Sequence, residues 1–147
     1  MRGKVNVDGK ISDTLKMLRL NQANHCVVIP ESATYRGMLQ VVKDYVTWGE
    51  IESKTMSELL KRRGQLVGGA KVTDRDVKNR TGFENIASYS EALLSGDAKL
   101  KDFSELKPVF RLSPPKKGYE GIKRAFGVGG ALGYRGDKIN QLIRRMI

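Results

Sequence analysis

Ser12-Asp13-Thr14-Leu15-Lys16-Met17-Leu18-Arg19-Leu20-Asn21-Gln22-Ala23-Asn24-His25-Cys26-Val27-Val28-Ile29 is the stretch around which the chain is organised. Its first half reads as a helix. Ser12 offers a side-chain oxygen to an orphan N–H, Asp13 suits the positive end of the dipole, and Ile11, Leu15 and Leu18 recur along one side. Asn21-Gln22 is a polar break. Cys26-Val27-Val28-Ile29 is then a continuous, β-branched apolar run closed by Pro30, which predicts a buried strand. A helix feeding a strand through a short connection predicts a small layered unit of helices and strands. His25 and Cys26 invite a base–nucleophile reading, but successive strand residues point to opposite faces, so they cannot form a dyad with each other. One histidine and one cysteine also fall short of a structural zinc set. Both read as packing residues.

Residues 1–9 precede this unit as a short basic segment. Val5 and Val7 alternate with polar neighbours there, enough for a strand stub. After the turn at residues 30–34, a second helix is expected from Tyr35, with Met38, Val41 and Val42 on its apolar face. Tyr45-Val46-Thr47-Trp48 reads as a strand that Gly49 ends or bulges. Beyond Ile51 the texture changes. Thr55 and Glu58 form an expected capping box before Leu59-Leu60, Lys61-Arg62-Arg63 fills the last turn, and Gly64 stops the helix. Residues 64–69 form a flexible joint. Thr73 caps a charged helix to about Arg80, with Gly82 as its stop, and Ile86, Tyr89 and Leu93 mark a further helix broken at Ser95-Gly96-Asp97. Pro108-Val109-Phe110-Arg111-Leu112 reads as a short strand before Ser113-Pro114-Pro115. Residues 116–134, rich in glycine, are expected to be mostly irregular. A last helix from Asp137 places Ile139, Leu142, Ile143 and Met146 on one face and Arg144-Arg145 on the other. No internal repeat is visible.

With 147 residues and 39% apolar side chains, the chain suits one domain or a small core with an appendage. Twenty-seven basic against 16 acidic residues give a formal charge of +11, and such an excess favours a polyanionic partner, since each neutralised phosphate releases counterions. The charge is uneven. Residues 107–147 hold ten basic and two acidic residues, or +8 of the +11. The single cysteine excludes an internal disulfide and suits a reducing compartment. No apolar run approaches the ~20 residues of a membrane span, and no apolar leader opens the chain. A soluble intracellular protein is therefore expected. Gly127, Gly129, Gly130 and Gly133 mimic a dinucleotide loop, but the spacing is G-x-G-G-x-x-G, no buried strand leads into it, and no acid follows about 20 positions on. Backbone lying close against a phosphate chain is the better reading, with Lys116-Lys117 presented by two stiff prolines. Acids such as Asp74 and Asp76 sit in capping positions or loops, and no catalytic constellation emerges.

The residues resemble the ribosomal protein family called L-thirty in bacteria and archaea and L-seven in eukaryotes. The matching motifs run in one order almost end to end. Early ones are Arg2-Gly3, Asp13-Thr14-Leu15 with Leu18, Asn24-His25-Cys26, Gly37-Met38, and Tyr45-Val46 with Gly49-Glu50. Late ones are Phe110-Arg111-Leu112 with Pro114-Pro115, Gly129-Gly130 with Gly133, and Ile139-Asn140 with Leu142-Ile143-Arg144-Arg145-Met146. The long segment after Ile51 resembles archaeal and eukaryotic members, and the lack of a long basic N-terminal extension resembles archaeal ones.

The resemblance implies an α+β fold. A ferredoxin-like β-α-β-α-β core with a three-stranded antiparallel sheet is expected over residues 1–51, and a basic, mainly helical extension over residues 52–147. It implies a structural constituent of the large ribosomal subunit, on the cytoplasmic ribosome, binding 23S-type RNA near 5S RNA and beside other ribosomal proteins. No cofactor, metal, membrane or small-molecule substrate is implied. Candidate RNA-binding side chains are Arg2, Lys16, Arg19 and Arg36 early in the chain. In the tail they are Arg111, Lys116, Lys117, Lys123, Arg124, Arg135, Arg144 and Arg145. One departure stands out. Family members carry an apolar central strand before the Arg-Gly pair, where this chain has only Met1, so a start further upstream is expected. A free-standing RNA-binding regulator and a small phosphate-handling enzyme on a ferredoxin-like scaffold are the alternatives.

Overall fold

A computed structural model describes residue 3 and residues 6–147. The opening helix, α1, spans Gly9–Met17 and starts three residues earlier than the sequence predicts. Asp8 is its N-cap, accepting from the Lys10 N–H at 2.8 Å, while Ser12 lies inside the helix with its N–H on the Asp8 carbonyl. Asp8 caps as well as Ser12 would, and Gly9 next to it offers no steric obstacle to an earlier start. α2 (Ala33–Val42) is capped by Ser32, whose hydroxyl accepts from the Tyr35 N–H. Tyr35, Met38, Leu39 and Val42 form its packing face, at i, i+3, i+4 and i+7, whereas Val41 points outward and is exposed. Together α1 and α2 enclose a small core of Leu15, Leu18, Val42 and Val46, with Tyr45 and Trp48 packed at its margin.

The strands are much shorter than the apolar runs that announce them. β1 is His25–Cys26 and β2 is Thr47–Trp48. Val27, Val28 and Ile29 are half-buried but outside the ladder. β1 pairs antiparallel with β3 (Phe110–Arg111), His25 opposite Arg111 and Cys26 opposite Phe110. β2 instead pairs in parallel with β5 (Gly130–Tyr134), Thr47 opposite Gly133 and Trp48 opposite Tyr134. β5 is also the neighbour of β4 (Gly121–Ala125), with an irregular register that sets five residues of β4 against three of β5.

The described residues thus form a two-stranded and a three-stranded sheet, and β1 and β2 do not pair with each other. The antiparallel three-stranded sheet expected over residues 1–51 is not the pairing seen. Two-residue strands leave most backbone groups of that region to turns and caps, and the free edges are taken by strands from the second half of the chain. The strand stub expected over residues 1–9 falls largely outside the described residues, and Val7 is not in a strand. Residues 116–134, expected to be irregular, carry β4 and β5. Glycine hid them: β5 packs Gly130, Ala131 and Leu132 inward with almost no side-chain signal.

The larger core belongs to the second half. α3 (Ser53–Arg63), α5 (Ile86–Ser95) and α6 (Ile139–Met146) pack Met56, Leu59, Leu60, Ile86, Tyr89, Ile139, Leu142, Ile143 and Met146 against Phe103, Leu106 and Phe110. The Thr55–Glu58 capping box does not form. α3 begins earlier, at an N-cap Glu52 with no side-chain cap, and the Glu52 N–H goes to Asn140 Oδ1 at 2.9 Å. A tertiary partner takes the place of a local one, and Thr55 is buried. α4 (Asp74–Thr81) has its Thr73 cap as the sequence predicts, in a reciprocal box with Asp76, and ends at a left-handed Gly82. Gly64 follows α3 in extended backbone, and a Cβ there would collide with the Leu60 carbonyl oxygen, so the position suits glycine. No helix among the described residues is long and apolar enough to cross a membrane.

Candidate nucleic-acid interface

The side chains predicted to meet RNA divide by what they already touch. Five of them are engaged with acids: Lys16 with Asp13 at 2.9 Å, Arg36 with Glu31, Arg144 with Glu52 at 3.2 Å, Arg145 with Glu120 at 3.4 Å, and Arg135 with Glu120 at 3.7 Å. Arg145 also donates to the carbonyls of Lys116 and Gly118, tying α6 to the turn after Pro114-Pro115. Arg2 lies outside the described residues. Arg19, Arg111, Lys116, Lys117, Lys123 and Arg124 are exposed and have no acidic partner among the described residues. Lys123 and Arg124 sit on β4, every residue of which is exposed. Lys117 adopts a left-handed backbone at φ +68° and Gly118 follows at +74°, in a turn whose two lysines are both exposed.

Arg135 is different. Its side chain turns inward and the residue is only 6% exposed. Nε donates to Thr47 Oγ1 and one terminal nitrogen to the Ala131 carbonyl, each at 2.9 Å. The guanidinium lies 4.7 Å from the centre of the Phe126 ring and 3.7 Å from Glu120. Burial lowers its pKa, with Glu120 opposing that shift. Glu120 in turn is held below the ordinary carboxylate range, first by its own backbone N–H and then by Arg135 and Arg145. Arg135 therefore joins β2, β5 and the glycine-rich turn from inside.

His25 and Cys26 show no catalytic geometry. Burial pushes the Cys26 thiol up to about 12, far from a reactive thiolate. Among the described residues no group of three or more histidine, cysteine or acidic side chains could hold a metal ion.

The sequence reading missed one cationic surface. An open cleft of about 630 Å³ is lined by Lys61, Arg62, Arg63, Gly64, Gln65, Lys71, Arg111 and Ile147. Three cations at the end of α3 read as complements of the helix dipole, and a dipole accounts for them locally. Nothing in the spacing announces that Lys71 and Arg111 come to the same place. Gln65 and Lys71 are brought together by an antiparallel bridge, closed by the Leu66 N–H on the Ala70 carbonyl at 2.8 Å. Only the folded chain displays that convergence.

Comparison with known proteins adds an independent finding. Residues 1–46 match the family model described as Ribosomal protein L30p/L7e. The chain is 54% identical over 146 residues to Large ribosomal subunit protein uL30 of Archaeoglobus fulgidus, covering 99% of this chain and 95% of that one. It is 50% identical over 149 residues to the protein of the same name from Methanopyrus kandleri, covering 100% of both. For Methanococcus maripaludis the figures are 49% over 149 residues, 100% of this chain and 96% of the relative.

Proposed function

The chain belongs to the uL30 family of large-subunit ribosomal proteins, and we propose that its particular task is to hold large-subunit RNA by its phosphates through the exposed cations of the tail. It is a structural constituent of the archaeal large ribosomal subunit and not an enzyme. The observation that carries the binding proposal is the sorting of its cations. Lys116, Lys117, Lys123 and Arg124 stand exposed on one turn and one strand without acids to neutralise them, while Arg145 is used to build that same turn and Arg135 is turned inward onto Thr47 and Ala131. Lysine and arginine presented this way position a protein on the RNA backbone, and base edges contribute little. The partner is 23S-type RNA in a region close to 5S RNA, with other ribosomal proteins alongside.

The ferredoxin-like core over residues 1–51 and the basic extension over residues 52–147 are the frame we assign to this role. Two features support it. α1 and α2 share one small core of their own, and α3, α5 and α6 build a separate, larger one. Lys16, Arg36 and Arg144, already engaged with acids, serve as secondary contacts, together with Arg19 and Arg2.

The test replaces Lys116, Lys117, Lys123 and Arg124 with glutamine and measures affinity for large-subunit RNA against salt. The slope of log affinity against log salt should fall by about 0.7–0.9 for each phosphate that is no longer neutralised. An unchanged slope places these four side chains in solvent and overturns their assignment.

A further inference from the structure

At the C-terminal end of α3, we propose, Lys61, Arg62, Lys71 and Arg111 form a second phosphate-binding groove, which receives the RNA backbone apart from the Lys116-Lys117 turn and β4. The ribosomal role supplies the class of ligand, and the groove rests on that role; three observations supply the place. First, the cleft of about 630 Å³ is lined by five cations, one glutamine, one glycine and Ile147, with no aspartate or glutamate side chain among the described residues. Lys61, Arg62, Lys71 and Arg111 are all exposed, and none has an acidic partner among the described residues. Arg80 and Arg144, by contrast, are each paired with an acid, Glu105 and Glu52. Like charges gathered without acids repel one another and draw in a polyanion.

Second, the cluster is assembled from three separate segments. Lys61 and Arg62 come from the last turn of α3, Lys71 from the return of the 64–71 loop, and Arg111 from β3. The helix dipole explains cations at the end of α3 and has no bearing on the other two.

Third, the fifth cation is committed to holding the groove open. Arg63 is half-buried. One terminal nitrogen donates to Ser113 Oγ at 2.6 Å and to a main-chain oxygen of Ile147 at 3.0 Å, and the other reaches the Arg111 carbonyl at 3.5 Å. Its planar fork thereby fixes the end of α3 against β3 and the end of α6, a geometry a lysine does not reproduce. No aromatic side chain lines the cleft, and Gln65 is its only amide. The surface thus suits sequence-independent contact with phosphates and offers nothing on which a base could stack.

The experiment uses the full chain, large-subunit RNA and a triple variant, Lys61→Gln, Arg62→Gln and Lys71→Gln, with Arg63 left intact. Thermal melting followed by circular dichroism first confirms that the variant folds as the parent does. The salt slope of RNA binding should fall by about 2–3 in total, which is about 0.7–0.9 for each substituted cation. In parallel, RNA should protect the Lys61 and Lys71 amines of the parent from acetylation, while Lys54 stays reactive. Lys54 lies seven residues back on α3, about 10 Å away along the axis, beside Glu58 and Glu91. An unchanged slope with Lys61 and Lys71 unprotected, in a parent that does bind the RNA, overturns the groove alone. A parent that fails to bind the RNA at all overturns the ribosomal role on which the groove rests.

Discussion

Asn140 and Glu50, 90 residues apart in sequence, meet through a partly buried hydrogen bond: Asn140 Nδ2 donates to the Glu50 carbonyl at 2.9 Å. The same amide donates to the Asp137 carbonyl and accepts from the Glu52 N–H, each at 2.9 Å. One side chain therefore satisfies three backbone groups, caps α3 and fixes the first turn of α6, while being itself only 2% exposed. Close by, Gly49 approaches Gly136 so tightly that a Cβ would collide with the Gly136 carbonyl oxygen.

Asn140→Ala should consequently destabilise the protein by about 2–4 kcal/mol, because it strands an N–H and two carbonyls at once. Asn140→Asp should fare no better, since a carboxylate can still accept from Glu52 but faces two carbonyls it cannot donate to. Urea denaturation checks both: the midpoint should fall with the slope unchanged. A midpoint equal to the parent's would show that water replaces the amide.

Arg135 gives a prediction that separates building from binding. Arg135→Met should cost about 2–4 kcal/mol, since it removes a buried cation from Thr47, Ala131 and the Phe126 face. Arg135→Lys should recover little, because an ammonium cannot bond Thr47 and Ala131 in one plane. The partner Glu120 adds a pH dependence. Its folded-state pKa is depressed below 4.5, so its contribution is present above about pH 4.5 and is lost as pH falls through the folded value. The stability difference between the parent and Glu120→Gln should thus be constant near neutrality and shrink in acid. A difference that grows in acid would contradict the assignment.

Cys26 is predicted to be chemically quiet. With its pKa near 12, the thiolate fraction at pH 8 is smaller than that of an ordinary thiol by a factor on the order of 10³. A disulfide reagent added to the folded protein should therefore modify Cys26 slowly, and rapidly only after denaturation. Rapid stoichiometric labelling of native protein would show that the β1 region opens easily.

The sequence discloses helices far better than strands, and the reason is visible in particular residues. α4, α5 and α6 carry local punctuation, with Thr73 and Gly82, Asn85 and Gly96, or an apolar stripe from Ile139 to Met146, and local signals suffice for them. β1 and β2 are set by partners far along the chain, Arg111 opposite His25 and Gly133 opposite Thr47. His25-Cys26 stops at two residues because β3 offers only Phe110-Arg111, and no periodicity in either segment records that. β5 is built on Gly130, Ala131 and Gly133, which have too little side chain to announce a strand. The tail cations are legible as a charge excess. Which of them are committed internally is not, because the Arg135 partners lie 88 and 4 residues away. The groove at the end of α3 is illegible for the same reason: Lys71 and Arg111 reach it only by folding.

Thr55 offers a test in the opposite direction, a substitution expected to stabilise. Read locally, Thr55 is a helix cap; in the fold it lies in the first turn of α3, wholly buried, and its hydroxyl has no hydrogen-bond partner among the described residues. A buried hydroxyl without a partner forfeits roughly 1–3 kcal/mol of hydration. Valine has nearly the same shape and the same β-branched restriction in a helix, so it removes the penalty without creating a cavity. Thr55→Val should raise stability by about 1 kcal/mol and leave RNA affinity and its salt slope where they were, since Thr55 is buried and does not line the cationic cleft. If Thr55→Val lowers the denaturation midpoint instead, the hydroxyl has a partner in solution, and the start of α3 is held by more than Asn140.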